Sequence, residues 1–167
     1  MNALKNSHNT PIKDATLRSG IEYPRTESML RVRTHSMMIS NQSQIVVIDD
    51  SRASVTMYQR AVEPLDISLK SFESPNEGFE YLQNNDADLI FLGNLMRETD
   101  GLTLLRKMRE LPRHEFTPVI VMSTKDYDQD RAMAKKLGAL EYLIKPVRSQ
   151  AIREVIEKYT QKKNSEQ

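Results

Sequence analysis

The chain contains no cysteine, which excludes disulfide bridges, thiol catalysis and thiolate metal sites. It contains no tryptophan, and only 6% of its residues are aromatic, which argues against a surface built for stacking on nucleic-acid bases. Neither sign of charge is in excess: 24 Lys and Arg against 23 Asp and Glu leave a net charge of +1. No global field therefore points to nucleic acid or to a membrane surface. No apolar run approaches the roughly 20 residues that a membrane helix needs, and the N-terminus lacks the apolar core of a secretory signal. These absences lead to the expectation of a cytoplasmic protein with no resident cofactor.

What is present suits a globular domain plus an extension: 167 residues, 38% hydrophobic and 28% charged. Residues 1–42 are rich in Asn, Ser, Thr and His and carry no sustained apolar period. Lys5, Lys13, Arg18, Arg25, Arg31 and Arg33 face only Asp14, Glu22 and Glu27 there. Such a segment buries too little apolar surface to offset the entropy of ordering, so disorder is expected, with a short helix near Ser28 to Arg33. A basic tether for a partner is one reading of it. Another is a translation start assigned too early, since Met29, Met37 and Met38 all precede the domain and a start at Met38 leaves a compact unit.

From Gln44 the pattern changes to alternating strands and helices. Ile45 to Ile48 is a continuous β-branched run, as expected of a strand buried on both faces of a parallel sheet. Asp50 or Ser51 then caps a helix with apolar positions at Val55, Tyr58 and Val62, ended by Pro64. Ile67 to Phe72 reads as an edge strand. Ser74-Pro75 opens a helix carrying Phe79 and Leu82, and Leu89 to Leu92 is a third strand. Gly101 precedes a helix with Leu104, Leu105 and Met108, stopped by Pro112. Pro118 to Met122 is a fourth strand, and residues 127–137 form a helix closed by Gly138. Glu141 to Ile144 is the fifth strand. A last helix sets Ile152, Val155, Ile156 and Tyr159 at helical spacing, and residues 161–167 are expected to fray. This alternation predicts an α/β fold, a doubly wound five-stranded parallel sheet in the order 2-1-3-4-5 with five helices, over residues 44–160.

Open α/β sheets bind ligands beyond the carboxyl ends of their strands, where the strand order reverses. In this order the reversal lies between the first and third strands, whose ends are Asp49-Asp50 and Gly93. The ends of the fourth and fifth strands bring Ser123 and Lys145 to the same pocket.

Taken together, Ile45-Val46-Val47-Ile48-Asp49-Asp50, the segment Asp88 to Met96 followed by Asp100-Gly101, Val121-Met122-Ser123 and Lys145-Pro146 resemble the receiver domain of bacterial response regulators, a CheY-like, flavodoxin-like fold. Singly these motifs are common; their joint spacing is specific. The resemblance implies that Asp49 and Asp50 hold a divalent cation, with Asp50 as the direct ligand and the backbone carbonyl of Leu95 completing the shell. It implies that Ser123 and Lys145 contact the transferred phosphoryl group, and that a strand-three aspartate is the nucleophile. That last position is Gly93. Asn94 is adjacent, but strand alternation turns its side chain to the other face. The chain departs from the family further at Arg97, in place of the usual Pro, and at Thr124, where Ala or Gly is usual.

A glycine cannot form an acyl phosphate, because a nucleophilic carboxylate is the whole chemistry of that step. Losing it takes the pocket from three carboxylates to two. Mg²⁺ requires dense anionic oxygen ligation, so weak or absent Mg²⁺ binding is expected, with Lys145 free to pair with Asp49 or Asp50. Asp49, Asp50, Asp100 and Ser123 are the surrogate acceptors to consider, each poorly aligned for in-line attack.

No DNA-binding or catalytic pattern follows the last helix, so a stand-alone module is expected, one that acts by touching another protein, such as a histidine kinase, another regulator or a motility component. The resemblance implies that its partner or homodimer face is the one made by the fourth helix, fifth strand and fifth helix, and Arg131, Lys135, Lys136 and Arg148 either mark that face or are a solvated basic surface. Tyr142 on the fifth strand is either a rotameric switch or an edge residue with a wet hydroxyl. The leading expectation is a phosphorylation-independent pseudo-receiver in two-component signalling, not an enzyme. The alternative is an ordinary aspartate-phosphorylated receiver whose acceptor is changed to Gly93 by variation or engineering. A small-molecule binder on the same fold is disfavoured, since Asp49-Asp50-Ser51-Arg52 is not a glycine-rich phosphate loop.

Overall fold

The structure is a computed structural model and describes residues 42–160. The expectations for the N-terminal extension, including the helix near Ser28 to Arg33, and for the tail at 161–167 fall outside the described residues.

Among the described residues eleven elements follow one another: β1 (Ser43–Ile48), α1 (Arg52–Val62), β2 (Ile67–Phe72), α2 (Pro75–Asn84), β3 (Leu89–Gly93), α3 (Gly101–Arg109), a 3-10 turn (Pro112–His114), β4 (Val119–Ser123), α4 (Asp128–Lys136), β5 (Glu141–Ile144) and α5 (Ser149–Thr160). The strands form one parallel sheet in the order β2-β1-β3-β4-β5. The topology predicted from the alternating apolar pattern is the one observed. The limits move slightly: β1 starts at Ser43, β4 reaches Ser123, and Gly93 belongs to β3.

Every residue of β3 and β4 is buried, because helices cover both faces of the sheet. Side chains of a strand alternate between faces, which sorts the core into two layers. Val46, Ile48, Ile90, Leu92, Val119 and Val121 pack with Leu82 of α2, Leu104, Leu105 and Met108 of α3 and Ala134 of α4. Ile45, Val47, Leu89, Phe91, Ile120 and Met122 pack with Tyr58 and Ala61 of α1 and Ile152, Val155 and Ile156 of α5. Full burial of one such aliphatic side chain contributes about 1.5–3 kcal/mol. The same alternation places Gly93 on the α1–α5 side and Asn94 on the α2–α4 side. On α1 the buried stripe is Ser54, Tyr58 and Ala61. Val55, expected on that stripe, is only half-buried.

Caps fix where the helices begin at the top of the sheet. Ser51, not Asp50, caps α1: its Oγ accepts from the Ser54 N–H at 3.4 Å. Asp100 caps α3 by accepting from the Thr103 N–H at 2.8 Å and the Thr103 hydroxyl at 2.6 Å. Ser74 makes no side-chain cap on α2. Gly101 begins α3 directly against the end of β3: its N–H donates to Asn94 O at 2.6 Å, and a Cβ there would lie 2.1 Å from Gly93 O. Gly138, φ +79°, turns the chain after α4 in the left-handed region that favours glycine. At the opposite end of the sheet the fully buried His114 pins α2, its Nε2 donating to Leu82 O at 2.9 Å while Nδ1 meets the Thr117 hydroxyl at 3.0 Å. Nε2 carries a proton because carbonyl oxygens only accept.

Two consequences are measurable. Gly101→Ala drives a methyl into backbone, and overpacking of this kind is expected to cost about 3 kcal/mol in urea unfolding. Asp100→Ala is expected to cost about 1 kcal/mol through the lost cap. Burial pushes the Asp100 carboxyl up, but the Thr103 hydrogen bonds outweigh it and the net pKa is below the ordinary carboxylate value. A lowered folded pKa means that the cap's contribution is present above the unfolded pKa and is lost as pH falls through the folded one. Asp100→Asn is therefore expected to flatten the acid limb of the stability profile while retaining most of the cap.

Candidate functional site

The pocket lies at the carboxyl ends of β1 and β3, where the strand order reverses. Asp49 follows β1 directly and is buried, with 1% of its surface exposed. Its Oδ1 accepts from the Ser51 N–H at 3.0 Å, and its Oδ2 accepts from Lys145 Nζ. Lys145 follows β5, so this ion pair reaches across the ends of the two strands that separate β1 from β5. The pairing expected of Lys145 is thus present, and its partner is Asp49. The Lys145 backbone N–H donates to Ser123 O at 2.8 Å, which sets the β5 end beside β4. Ser123 is itself buried, and its Oγ accepts from the Lys125 N–H at 3.1 Å.

Asp50 has a different cation. Its Oδ2 accepts from the Arg97 backbone N–H at 3.0 Å and from Arg97 Nε at 3.3 Å. The Arg97 side chain is 84% exposed, so this pair is a surface contact of small individual worth. Glu98 extends the same loop to α2, its Oε2 accepting from Ser74 Oγ at 3.2 Å and Asn76 Nδ2 at 3.3 Å. Arg52 of α1 pairs with Glu73 at 3.4 Å. Three loops at the mouth are therefore joined side chain to side chain.

Gly93 presents only backbone to this pocket. A Cβ built there would lie 3.4 Å from Asp49 Cγ and from Met96 Cγ, ordinary contact distances. The position is neither strained nor overfilled. Behind it Tyr58 is fully buried against Phe91, with ring centroids 5.0 Å apart. Burial, with Asp49 adding to it, pushes the Tyr58 hydroxyl well above its usual pKa.

On the other side of the sheet, Asn94 is 2% exposed. Its Nδ2 donates to Asp130 Oδ2 of α4 at 2.8 Å and to the Tyr142 hydroxyl at 3.4 Å. Tyr142 in turn donates to Lys125 O at 3.3 Å, and the Arg131 guanidinium lies 5.0 Å from its ring centroid. Tyr142 is turned inward, with 8% of its surface exposed. The reading of it as an edge residue with a wet hydroxyl is corrected, because β5 carries this side chain into the layer shared with α3 and α4.

The family model of the response regulator receiver domain matches residues 45–157. The chain belongs to this family.

Relatives carry the same domain in longer proteins. The chain is 30% identical over 111 residues to the cyclic di-GMP phosphodiesterase response regulator RpfG of Xanthomonas campestris pv. campestris, covering 65% of this chain and 29% of that protein. It is 27% identical over 116 residues to the sensor histidine kinase CheAY of Helicobacter pylori, covering 68% of this chain and 14% of that protein. The chain therefore spans less than a third of the length of either relative. Among solved structures, a two-component response regulator from Clostridium difficile superposes with a TM-score of 0.67 at 26% identity, over 74% of this chain and 99% of that one. A CheY-like receiver domain protein from Methanospirillum hungatei JF-1 gives 0.69 at 19% identity, over 75% and 99%, a likeness of fold.

Receiver domains are in general non-enzymatic, and they bind Mg²⁺ at the phosphorylation site when that site is functional. The residues of this receiver are a poor match for the ion. Among the described residues no group of three or more His, Asp or Glu is placed to hold a metal. Asp49 is engaged by Lys145 and Asp50 by Arg97, and Gly93 supplies no oxygen from a side chain. Leu95, whose carbonyl the resemblance adds to the shell, sits in an isolated bridge with Asp100. Mg²⁺ demands near-octahedral oxygen ligation, and two carboxylates already facing two cations do not offer it.

The roles of Arg97, Glu98 and Asn94 in joining elements were not legible from the residues alone. Arg97 stood out only as a departure from the family pattern. For Asn94 the alternation gave the correct face, but nothing in the sequence indicated Asp130 as its partner.

Because Asp49 is 2% and Lys145 17% exposed in their side chains, removing one partner strands the other. Lys145→Met is expected to destabilise the domain by about 3 kcal/mol. Asp49→Asn combined with Lys145→Met is expected to recover part of that loss, and a double-mutant cycle in urea measures the coupling.

Proposed function

We propose that this receiver is a protein-binding module of two-component signalling whose conformation is set by protein contacts without phosphoryl transfer. The observation that carries this reading is the bare backbone at Gly93, beside a buried Asp49 whose charge is already matched by Lys145. An incoming anion would have to compete with Asp49 for that ammonium group. Transfer of a phosphoryl group depends almost wholly on position and charge stabilisation. Asp50 and Asp100 are each bound to neighbours at the rim, so neither has the placement of the missing acceptor. Mg²⁺ binding is weak or absent on this reading, and the module works in the cytoplasm.

Histidine kinases, other regulators and motility components are the partner classes in view. They accord with relatives that include a sensor histidine kinase and a gliding motility regulatory protein of Myxococcus xanthus. The face formed by α4, β5 and α5 is the partner or homodimer surface proposed.

A second reading draws on the space at position 93. A Cβ meets only ordinary contacts there, so a side chain can start from this position without rebuilding the strand. The parent of a chain altered at this residue would then be a working phosphorylated switch.

Intact-mass measurement after incubation with acetyl phosphate and Mg²⁺ tests the first reading: no phosphoryl adduct is expected, and a stoichiometric adduct would refute it. Gly93→Asp separates the two. The variant adds a carboxylate next to Asp49, so it is expected to be less stable without metal and to regain stability with millimolar Mg²⁺ through linkage. If the original chain and Gly93→Asp bind the same partner equally, phosphate is not needed. If only the phosphorylated variant binds, the second reading holds.

A further inference from the structure

The residue next to the missing acceptor carries a role that the receiver site does not explain. Asn94 is the first residue of the β3–α3 loop, and its side chain is buried on the α2–α4 side. Only one of its two polar ends is satisfied. Both hydrogens of Nδ2 are used, on Asp130 and on the Tyr142 hydroxyl, whereas Oδ1 has no partner. A buried amide oxygen without a partner is a cost that an apolar residue of similar size would not carry. The unpartnered oxygen offsets much of what the two donated bonds contribute to overall stability. The two donated bonds give a positional reason for the asparagine.

We propose that Asn94 is a positioning residue that straps α4 and Tyr142 to the end of β3, holding the α4–β5 face in a single arrangement whatever occupies the pocket. The short bond to Asp130 is charge-assisted and anchors the amide. Asp130 lies in the first turn of α4, where the helix dipole also favours a carboxylate. The anchored amide then keeps its second hydrogen on Tyr142, a longer and weaker contact at 3.4 Å. Arg131 adds two contacts to the same residue: it lies over the ring, and its Nη1 donates to the Tyr142 backbone carbonyl at 3.1 Å, while Asp126 holds Arg131 at 2.5 Å. Tyr142 is thus held from below by β3, at its hydroxyl by the β4–α4 loop, and from above by α4.

The strap deepens the phosphate-independent reading, because it gives the partner face a fixed shape without a covalent anion. Its atoms are separate from those of the pocket, so the two stand or fall on different measurements.

The chain supplies its own references for a test by hydroxyl-radical footprinting with peptide mapping. Tyr127 is 54% exposed and Tyr58 is fully buried. In the unaltered protein Tyr142 is expected to react nearly as slowly as Tyr58. In Asn94→Leu its labelling is expected to rise about fivefold toward that of Tyr127, the change in population that goes with losing one hydrogen bond. Tyr58 is expected to stay protected and the thermal midpoint not to fall, since the variant also removes the unpartnered oxygen. Asp130→Asn retains an acceptor and is expected to keep Tyr142 protected, whereas Asp130→Ala is expected to release it in part.

Unchanged labelling of Tyr142 in Asn94→Leu would overturn the proposal, as would a rise matched by Tyr58, which reports general loosening. If Asn94→Leu does not fold, the Asp130 pair decides alone: equal protection in Asp130→Ala and Asp130→Asn overturns it. A phosphoryl adduct in the mass experiment would remove the phosphate-independent reading and leave this result standing.

Discussion

The ion pair between Lys145 and Asp49 closes the top of the sheet. It links the ends of β5 and β1, two strands with no hydrogen-bonded contact, over the ends of β3 and β4. Taking two charges out of water costs several kcal/mol per ion, and only good geometry with further hydrogen bonds offsets that cost. The Ser51 N–H supplies one such bond to Asp49, and the Lys145 backbone bond to Ser123 O fixes the lysine's place on the strand. The pair is therefore a positional device more than a source of net stability. It requires Asp49 at the end of the buried strand β1 and Lys145 at the end of the edge strand β5, and the parallel register of the three intervening pairings delivers both.

Much of this was legible in the sequence because it follows from burial. The β-branched run Ile45 to Ile48 and the apolar run Leu89 to Leu92 have one reading as strands covered on both faces, and the strand order follows from the alternation with helices. The convergence of Asp49, Asp50, Gly93, Ser123 and Lys145 follows from that order. Less was legible where the outcome depends on which of several polar neighbours meet. Asp50 and Ser51 were equal candidates for the cap of α1, and the choice fell to Ser51 because Asp50 turns to Arg97. The pairing of Asn94 with Asp130 spans 36 residues. No periodicity encodes it, because it depends on how α4 is set against the sheet.

The two faces of the β3 tip carry opposite solutions to the same problem. On the pocket side a side chain is missing at Gly93, and the neighbouring charges satisfy one another. On the far side a polar side chain is present at Asn94 and is only partly satisfied. Receiver domains as a family interact with histidine kinases and other proteins, and it is the second solution, not the first, whose side chains reach α4 and β5. Arg131 illustrates the point: it serves Tyr142 through both its ring and its carbonyl while staying half in water.

A switch needs two states and an input that binds them unequally. A ligand shifts an equilibrium only by its differential affinity for the two forms, and moving a population from 1:99 to 99:1 takes about 5.5 kcal/mol. A covalent phosphoryl anion supplies such a difference by recruiting the lysine and the strand-four hydroxyl at once. In this chain Lys145 is already paired with Asp49, so an anion entering the pocket must compete with that carboxylate for the lysine. An exposed pair such as Arg97 with Asp50 adds at most about 1 kcal/mol to that resistance; the buried pair adds several times more. On the reading proposed above, the input that avoids this cost is a protein bound to α4 and β5, which recognises the arrangement of Asp130, Arg131 and Tyr142 from outside without opening the buried pair.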